Sequence, residues 1–291
     1  MILLSNVNEG KKLARKLGIP FFGIDKNNYP DGETVLKYTK LLPKGKRLIY
    51  FKFTRDDSLD AQLVHLMAIL NDQYKKGEIN LILPYLPYCR SYPSVNNEIS
   101  VLEYLLNFFS GTVRKLYLVY PHHMDKRFFS HSLKLTKVYF VDINEELVDY
   151  FKEFPSNYIL VSPDKGGATF VKELAGVANC RYIILSKRRI SSSSVRFTHN
   201  KQIDKIIKSN KSKTFLVVDD VISTGKTMRD AIDYCRTLGV KNVYGVVIHN
   251  LCSDRVIRKD IHTTNTIKNS KYEINILDSI YKIVRKTSST S

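Results

Sequence analysis

The sequence predicts an α/β protein built on mainly parallel sheet, and three observations carry that prediction. Short apolar runs alternate with helical stretches through both halves of the chain. One run, Phe215–Val218, is continuous and β-branched, as a strand buried on both faces of a parallel sheet requires. Polar residues gather just past the apolar runs, where open α/β sheets bind their ligands.

Taken in order, the expected strands are Ile2–Leu4, Leu48–Phe53, Leu81–Leu83, Leu116–Tyr120, Tyr158–Val161, Tyr182–Leu185, Phe215–Val218 and Val243–Ile248. Each is short, apolar and rich in β-branched or aromatic residues. Between them, Ala61–Tyr74 places Leu63, Leu66, Met67 and Leu70 on one helical face, and Val101–Phe109 does the same with Leu102, Leu105, Leu106 and Phe109. These stripes are core and carry no chemistry. The same alternation on both sides of Asp142 implies two similar α/β domains, 1–141 and 142–275, with a C-terminal helix and a disordered tail in 276–291. The run Ser191–Ser194 is expected in a mobile loop, and the closing KTSSTS in the disordered tail.

Composition narrows the class. With 291 residues, 43% hydrophobic, the chain is long enough for two ordinary cores, and no apolar run approaches the roughly 20 residues of a membrane span. The start, MILLSNVNEG, lacks a basic segment before a long apolar one and reads as a first strand. Cys89, Cys180, Cys235 and Cys252 are far apart, which argues against a disulfide framework or zinc site and fits a reducing cytoplasm. A net charge of +18 attracts phosphates, whether of nucleic acid or of small anionic substrates. The lysines are scattered and no nucleic-acid-binding module accompanies them, so anionic small substrates are the expectation.

The most informative stretch is Thr214–Met228, TFLVVDDVISTGKTM. Its apolar run is followed by Asp219 and Asp220, then by Ser223-Thr224-Gly225-Lys226-Thr227. From Thr227 the period becomes helical, with Met228, Ala231, Ile232, Cys235 and Leu238 in step and Gly239 as a stop. The loop therefore feeds a helix N-terminus, where free N–H groups favour an anion. Small hydroxyl residues and a glycine let backbone wrap a phosphate, and the aspartates can accept hydrogen bonds from a vicinal diol. Together they describe a ribose 5-phosphate site. A nucleotide-triphosphatase P-loop would need a glycine five residues before Gly225, where Asp220 stands.

Further motifs follow other strands. Asn28-Tyr29-Pro30-Asp31-Gly32-Glu33 reads locally as a turn. PYLPYCR ends in Arg90, and YPHH holds His122 and His123. In Ser162-Pro163-Asp164-Lys165-Gly166-Gly167, Asp164 suits Mg²⁺ on a polyphosphate, and the glycines admit its oxygens to backbone amides. Lys187-Arg188-Arg189 could close over a transferring phosphoryl group. His249 follows the last strand.

In this order, along nearly the whole chain, these motifs resemble the ribose-phosphate pyrophosphokinases (PRPP synthases), nearest the archaeal type. Type I phosphoribosyltransferases share the last motif but not PDGE or the KRR segment. The resemblance implies two tandem type I phosphoribosyltransferase-like domains, the first on the ATP side and the second binding PRPP. It implies transfer of the β,γ-diphosphoryl group of ATP to the C1 hydroxyl of ribose 5-phosphate, giving PRPP and AMP, with Mg²⁺ as cofactor. Asp219, Asp220, Ser223, Thr224, Gly225, Lys226 and Thr227 would then hold the ribose phosphate, and Lys187 and Arg189 would stabilise the transition state. Tyr29, Asp31, Glu33, Arg90 and His123 would contact ATP, the first three across a dimer interface, so a homodimer or larger homo-oligomer is implied. His122 and Asp164 would lie at metal positions. The family's Tyr-x-Arg-Gln-Asp reads here Tyr88-Cys89-Arg90-Ser91-Tyr92, and its Thr-Asp-Thr reads Thr264-Asn265-Thr266. The altered segment after Arg90 motivates the alternative of a catalytically weak regulatory paralogue that binds a phosphoribosyl ligand.

Overall fold

The computed structural model describes residues 1–55, 57–92, 97–122, 126–155, 157–189, 195–197, 200–252, 257–268 and 271–288, with backbone alone for 126, 187–189 and 195–197. By its contacts the chain forms two compact units. One comprises Met1–Asp142, Thr266–Lys268 and Leu277–Ser291, the other Ile143–Asn265 and Asn269–Ile276.

The first unit is a seven-stranded sheet. Its strands are β1 (Ile2–Ser5), β2 (Phe21–Asn28), β3 (Thr34–Tyr38), β4 (Arg47–Tyr50), β5 (Ile79–Leu83), β6 (Lys115–Val119) and β7 (Lys137–Val141), in the order β3-β2-β1-β4-β5-β6-β7. All neighbours are parallel except the β2–β3 hairpin. The helices are α1 (Glu9–Leu17), α2 (Leu59–Tyr74), α3 (Val101–Thr112) and α4 (Lys126–Ser132). On α2 and α3, Leu63, Leu66 and Leu70, and Leu102, Leu105, Leu106 and Phe109, are buried as their spacing predicts. Ser100 caps α3, its hydroxyl accepting from Glu103 N.

The second unit is built on a five-stranded, all-parallel sheet. Its strands are β8 (Tyr158–Ser162), β9 (Arg181–Ile184), β12 (Thr214–Ile222), β13 (Val243–Asn250) and β14 (Ile261–Thr263), in the order β14-β13-β12-β8-β9. Two short strands, β10 (Lys187–Arg189) and β11 (Val195–Phe197), pair separately as an antiparallel ribbon. The helices are α5 (Asn144–Phe151), α6 (Ala168–Val177), α7 (Lys201–Ser209) and α8 (Lys226–Thr237). β12 is central, and its apolar half packs with Met228, Ala231, Ile232 and Cys235 of α8 in one buried cluster. Burying Met228 and Ile232 contributes roughly 1.5–3 kcal/mol each, so this face fixes the helix against the strand.

Several sequence expectations are corrected here. β12 runs to Ile222, not Val218, because Val221 and Ile222 stay in register with His249 and Asn250 of β13. Asp219 and Asp220 therefore lie within the strand. His249, expected after the last strand, is inside β13 and 1% exposed. The strands β2, β3, β7 and β14, at or next to the sheet edges, are absent from the expected strands: FFGIDKNN, TVLKY and IHT lack a continuous apolar run, while KVYFV of β7 carries a run that the expectation omits. The expected disorder at KTSSTS does not hold for Lys286–Ser288, and 289–291 lie outside the described residues. A ninth helix, α9 (Leu277–Ser288), extends through Lys286–Ser288. Thr287 is buried there, its carbonyl accepting from Lys115 Nζ at 2.6 Å and its hydroxyl 2.7 Å from Tyr117 Oη. The run Ser191–Ser194 lies outside the described residues.

Candidate active site

At the carboxyl end of β12 the chain turns through Ser223 and Thr224 to Gly225, which takes a left-handed conformation (φ 69°) and starts α8. The backbone at this position favours a glycine. A side chain is strained at that φ, and a Cβ would stand 2.8 Å from Arg229 Nη1. Ser223, Thr224 and Lys226 are exposed, Gly225 is buried and Thr227 half-buried. Thr224 Oγ1 accepts from Lys226 N at 3.3 Å, and Lys226 Nζ pairs with Asp230 at 2.7 Å.

The two aspartates are not equivalent. Successive strand residues point to opposite faces. Asp220 is 4% exposed, whereas Asp219 is half-buried and its Oδ1 accepts from Asp220 N at 3.0 Å. The neighbouring loop, from β8 to α6, approaches Asp219 directly: a Cβ on Gly167 would lie 3.7 Å from Asp219 Oδ1 and 2.9 Å from Ser162 Oγ. Asp164 folds that loop, its Oδ1 accepting from Gly166 N at 2.8 Å and Gly167 N at 3.4 Å, while Ser162 Oγ donates to Asp164 O at 2.6 Å. The structure thus brings the Asp164 loop, Asp219 and the Ser223–Thr227 loop to one end of one sheet.

Among the described residues no group of three or more His, Cys, Asp or Glu is gathered tightly enough to cage a metal. Mg²⁺ usually keeps several waters and takes one or two carboxylates plus substrate phosphates. Asp164, a half-buried oxygen donor in a glycine loop, is a donor of that kind.

In the first unit, Tyr29, Asp31 and Glu33 occupy the tip of the β2–β3 hairpin. Asp31 Oδ1 accepts from Glu33 N at 3.0 Å, Gly32 has φ 92°, and Tyr29 is 55% exposed. Arg90 is exposed on a 3₁₀ turn, Cys89–Ser91, that follows a left-handed Tyr88 (φ 66°). After β6, Tyr120 (φ 32°) and His122 (φ 50°) are both left-handed, with His122 N donating to Tyr120 O at 2.8 Å. Non-glycine residues in such conformations each cost about 1–3 kcal/mol and cluster at functional segments. His123 lies outside the described residues. Lys187 and Arg189 are placed by backbone alone, on β10.

Asn265 bears on the departure from the family pattern. It is fully buried, its Oδ1 accepting from Ile276 N at 2.9 Å and its Nδ2 donating to Asn275 Oδ1 at 3.1 Å. An ionised carboxylate there has no N–H to donate to Asn275 Oδ1. Sequence reasoning missed two side chains at the loop, Arg229 and Cys252, which donate to Thr224 O and Ser223 O. Arg229 lies one helical turn past Gly225, a spacing visible in the sequence. Cys252 arrives from beyond β13 and no local signal marks it.

Comparison with known proteins agrees with this layout. A phosphoribosyl transferase domain matches residues 135–281. A ribose-phosphate pyrophosphokinase of Pyrococcus abyssi is 30% identical over 274 residues, covering 90% of each chain. The chain belongs to the ribose-phosphate pyrophosphokinase family. The family member from Thermoplasma volcanium is 24% identical over 292 residues, 97% of each chain. The fold matches the crystal structure of phosphoribosylpyrophosphate synthetase from Mycobacterium smegmatis with a TM-score of 0.79, over 100% of this chain and 99% of that one, at 17% identity. Two tandem type I phosphoribosyltransferase-like domains, as in that family, make up the architecture. Among the described residues no helix is long and apolar enough to cross a membrane.

Proposed function

We propose that the protein is a Mg²⁺-dependent ribose-phosphate diphosphokinase that transfers the β,γ-diphosphoryl group of ATP to the C1 hydroxyl of ribose 5-phosphate, giving PRPP and AMP. The observation that carries this reading is the convergence of Asp164, Asp219 and the Ser223–Thr227 loop at the carboxyl end of one parallel sheet, in a chain of this family.

Each element has a role in that reading. Backbone N–H groups and the hydroxyls of Ser223, Thr224 and Thr227 bind the 5-phosphate at the positive end of α8, with Lys226 adding charge. Asp219 orients the ribose by accepting from its hydroxyls, which aims C1–OH at the donor, and the buried Asp220 beside it adds negative charge to the same strand end. Lys187 and Arg189 neutralise charge on the transferring group. Tyr29, Asp31, Glu33, Arg90 and His123 bind ATP. Asp164 and His122 are the metal-side residues, and bound Mg²⁺ would neutralise phosphate charge and polarise the transferring phosphorus. Little covalent chemistry falls to the protein, so positioning and charge neutralisation supply most of the rate.

A homo-oligomer is part of the proposal, since Tyr29 stands exposed at a hairpin tip and would gain cover from a second copy. A cytoplasmic location is supported by four described cysteines that are all free. Incubation with ATP, Mg²⁺ and ribose 5-phosphate should release AMP, and should not without ribose 5-phosphate. AMP no higher than in a Lys187→Ala control would overturn the assignment.

A further inference from the structure

Three consecutive carbonyls of the loop after β12 are held from outside the loop. Leu251 N donates to Ile222 O at 2.8 Å, Cys252 Sγ to Ser223 O at 2.7 Å, and Arg229 Nη1 to Thr224 O at 2.9 Å. A trans peptide is planar, with its C=O and N–H on opposite edges. Fixing those carbonyls therefore fixes the N–H groups of Ser223, Thr224 and Gly225, each facing away from its anchor. Gly225 is left-handed and α8 begins next, so the held peptides lead into a helix N-terminus, where backbone N–H groups favour an anion.

Two of the three anchors are side chains. Arg229 is half-buried in the first turn of α8, and its guanidinium occupies the space that any side chain at position 225 would need. Cys252 is 1% exposed, its N–H donates to Asn250 Oδ1 at 2.9 Å, and its Sγ is 3.5 Å from the same point beside Gly225. Both side chains donate to carbonyls of the loop.

We propose that Arg229 and Cys252 are positioning residues of the ribose-phosphate subsite. By holding the Thr224 and Ser223 carbonyls they aim the loop's N–H groups at the phosphate before it arrives, so that binding orders little backbone. This rests on the reading of the loop as a ribose 5-phosphate site.

The test is calorimetric titration of the full chain with ribose 5-phosphate, for the unaltered protein and for Arg229→Ala, Cys252→Val and Cys252→Ser. Valine fills the thiol's space without a donor, and serine restores one. Affinity should fall about tenfold in Arg229→Ala and several-fold in Cys252→Val, as expected for lost hydrogen bonds. Cys252→Ser should recover most of the loss. In turnover, the KM for ribose 5-phosphate should rise while that for ATP does not. The Arg229→Ala penalty should persist at high salt, because a short hydrogen bond is screened far less than a long-range charge.

Affinities within twofold of the unaltered protein for both Arg229→Ala and Cys252→Val would overturn the proposal. So would a serine variant as weak as the valine one, or a penalty for Arg229→Ala that vanishes with salt. If the unaltered protein binds ribose 5-phosphate but releases no AMP, the diphosphokinase reading falls and this one stands. If it binds none, both fall.

Discussion

Along the loop after β12, from Ile222 to Thr224, each peptide has its carbonyl tied to a neighbour. The tip of the β2–β3 hairpin, Tyr29 to Glu33, is instead held by bonds within itself, and each of its residues is exposed. The first region is a loop whose carbonyls are tied down at the end of a buried central strand. The second is a projecting edge with its polar and aromatic side chains in water. In the proposed reaction these are the ribose-phosphate side and part of the ATP side. The contrast teaches that one substrate would meet a rigid site made by a single unit, while the other needs a site completed by something further, a second copy in our reading.

The sharpest way to break this comparison is Gly225→Ala. A left-handed backbone costs a side chain about 1–2 kcal/mol, and the added Cβ would displace the Arg229 guanidinium, whose Nη1 lies 2.8 Å from it. Ribose 5-phosphate binding should weaken by roughly thirtyfold or more by calorimetry, because the loop must rearrange. Unchanged affinity would mean the loop is not the rigid element described. Next in size are the two aspartates. Asp219→Asn should lower kcat/KM for ribose 5-phosphate by about tenfold to a hundredfold with little change in melting temperature. Asp220→Asn should lower the melting temperature as well, since this side chain is 4% exposed within the central strand. Equal melting temperatures for the two variants would contradict their inequivalence.

On the hairpin, Tyr29→Ala should raise the KM for ATP several-fold, about 1 kcal/mol, and leave ribose 5-phosphate affinity and melting temperature unchanged. A change in ribose 5-phosphate affinity would show that the two sides are not separable. The smallest effect concerns the frame of the rigid side. Burial opposes ionisation of Asp260, but hydrogen bonds from Arg258 and from Arg236 of α8 outweigh it and hold its carboxyl below the usual carboxylate range. A lowered native pKa stabilises the fold above the unfolded value, near 4, and that contribution disappears as pH falls through the native value. Asp260→Asn should therefore melt a few degrees lower at pH 7 by calorimetry, and the gap should close on acidification. A gap independent of pH would remove the carboxylate as its cause.

The strands buried on both faces were legible because such strands must read as unbroken apolar runs, as Phe215–Val218 does. The helix after the loop was legible from its period, and Gly239 beyond its end has φ 94°. The hairpin β2–β3 was not, because an edge ribbon half in water shows no such run in FFGIDKNN. Only its turn, Pro30-Asp31-Gly32, announced itself. The end of β12 escaped notice because pairing with His249 and Asn250, and not apolar character, keeps Asp219 and Asp220 extended. Of the candidate site, the phosphate loop and the Asp164 loop were readable, since glycine and acidic residues at a change of period are local signals. Their convergence required the strand order β13-β12-β8, a long-range fact. Cys252 was invisible for the same reason: its contact with Ser223 spans 29 positions.

The central claim is that the loop between β12 and α8 is a phosphate cradle formed before any nucleotide binds. Titrating the protein with ribose 5-phosphate in the absence of ATP and Mg²⁺ tests it most directly. Saturable binding of one molecule per chain, competed by inorganic phosphate and lost in Gly225→Ala, is the predicted result. Absence of saturable binding, or binding that Gly225→Ala leaves intact, would contradict the account.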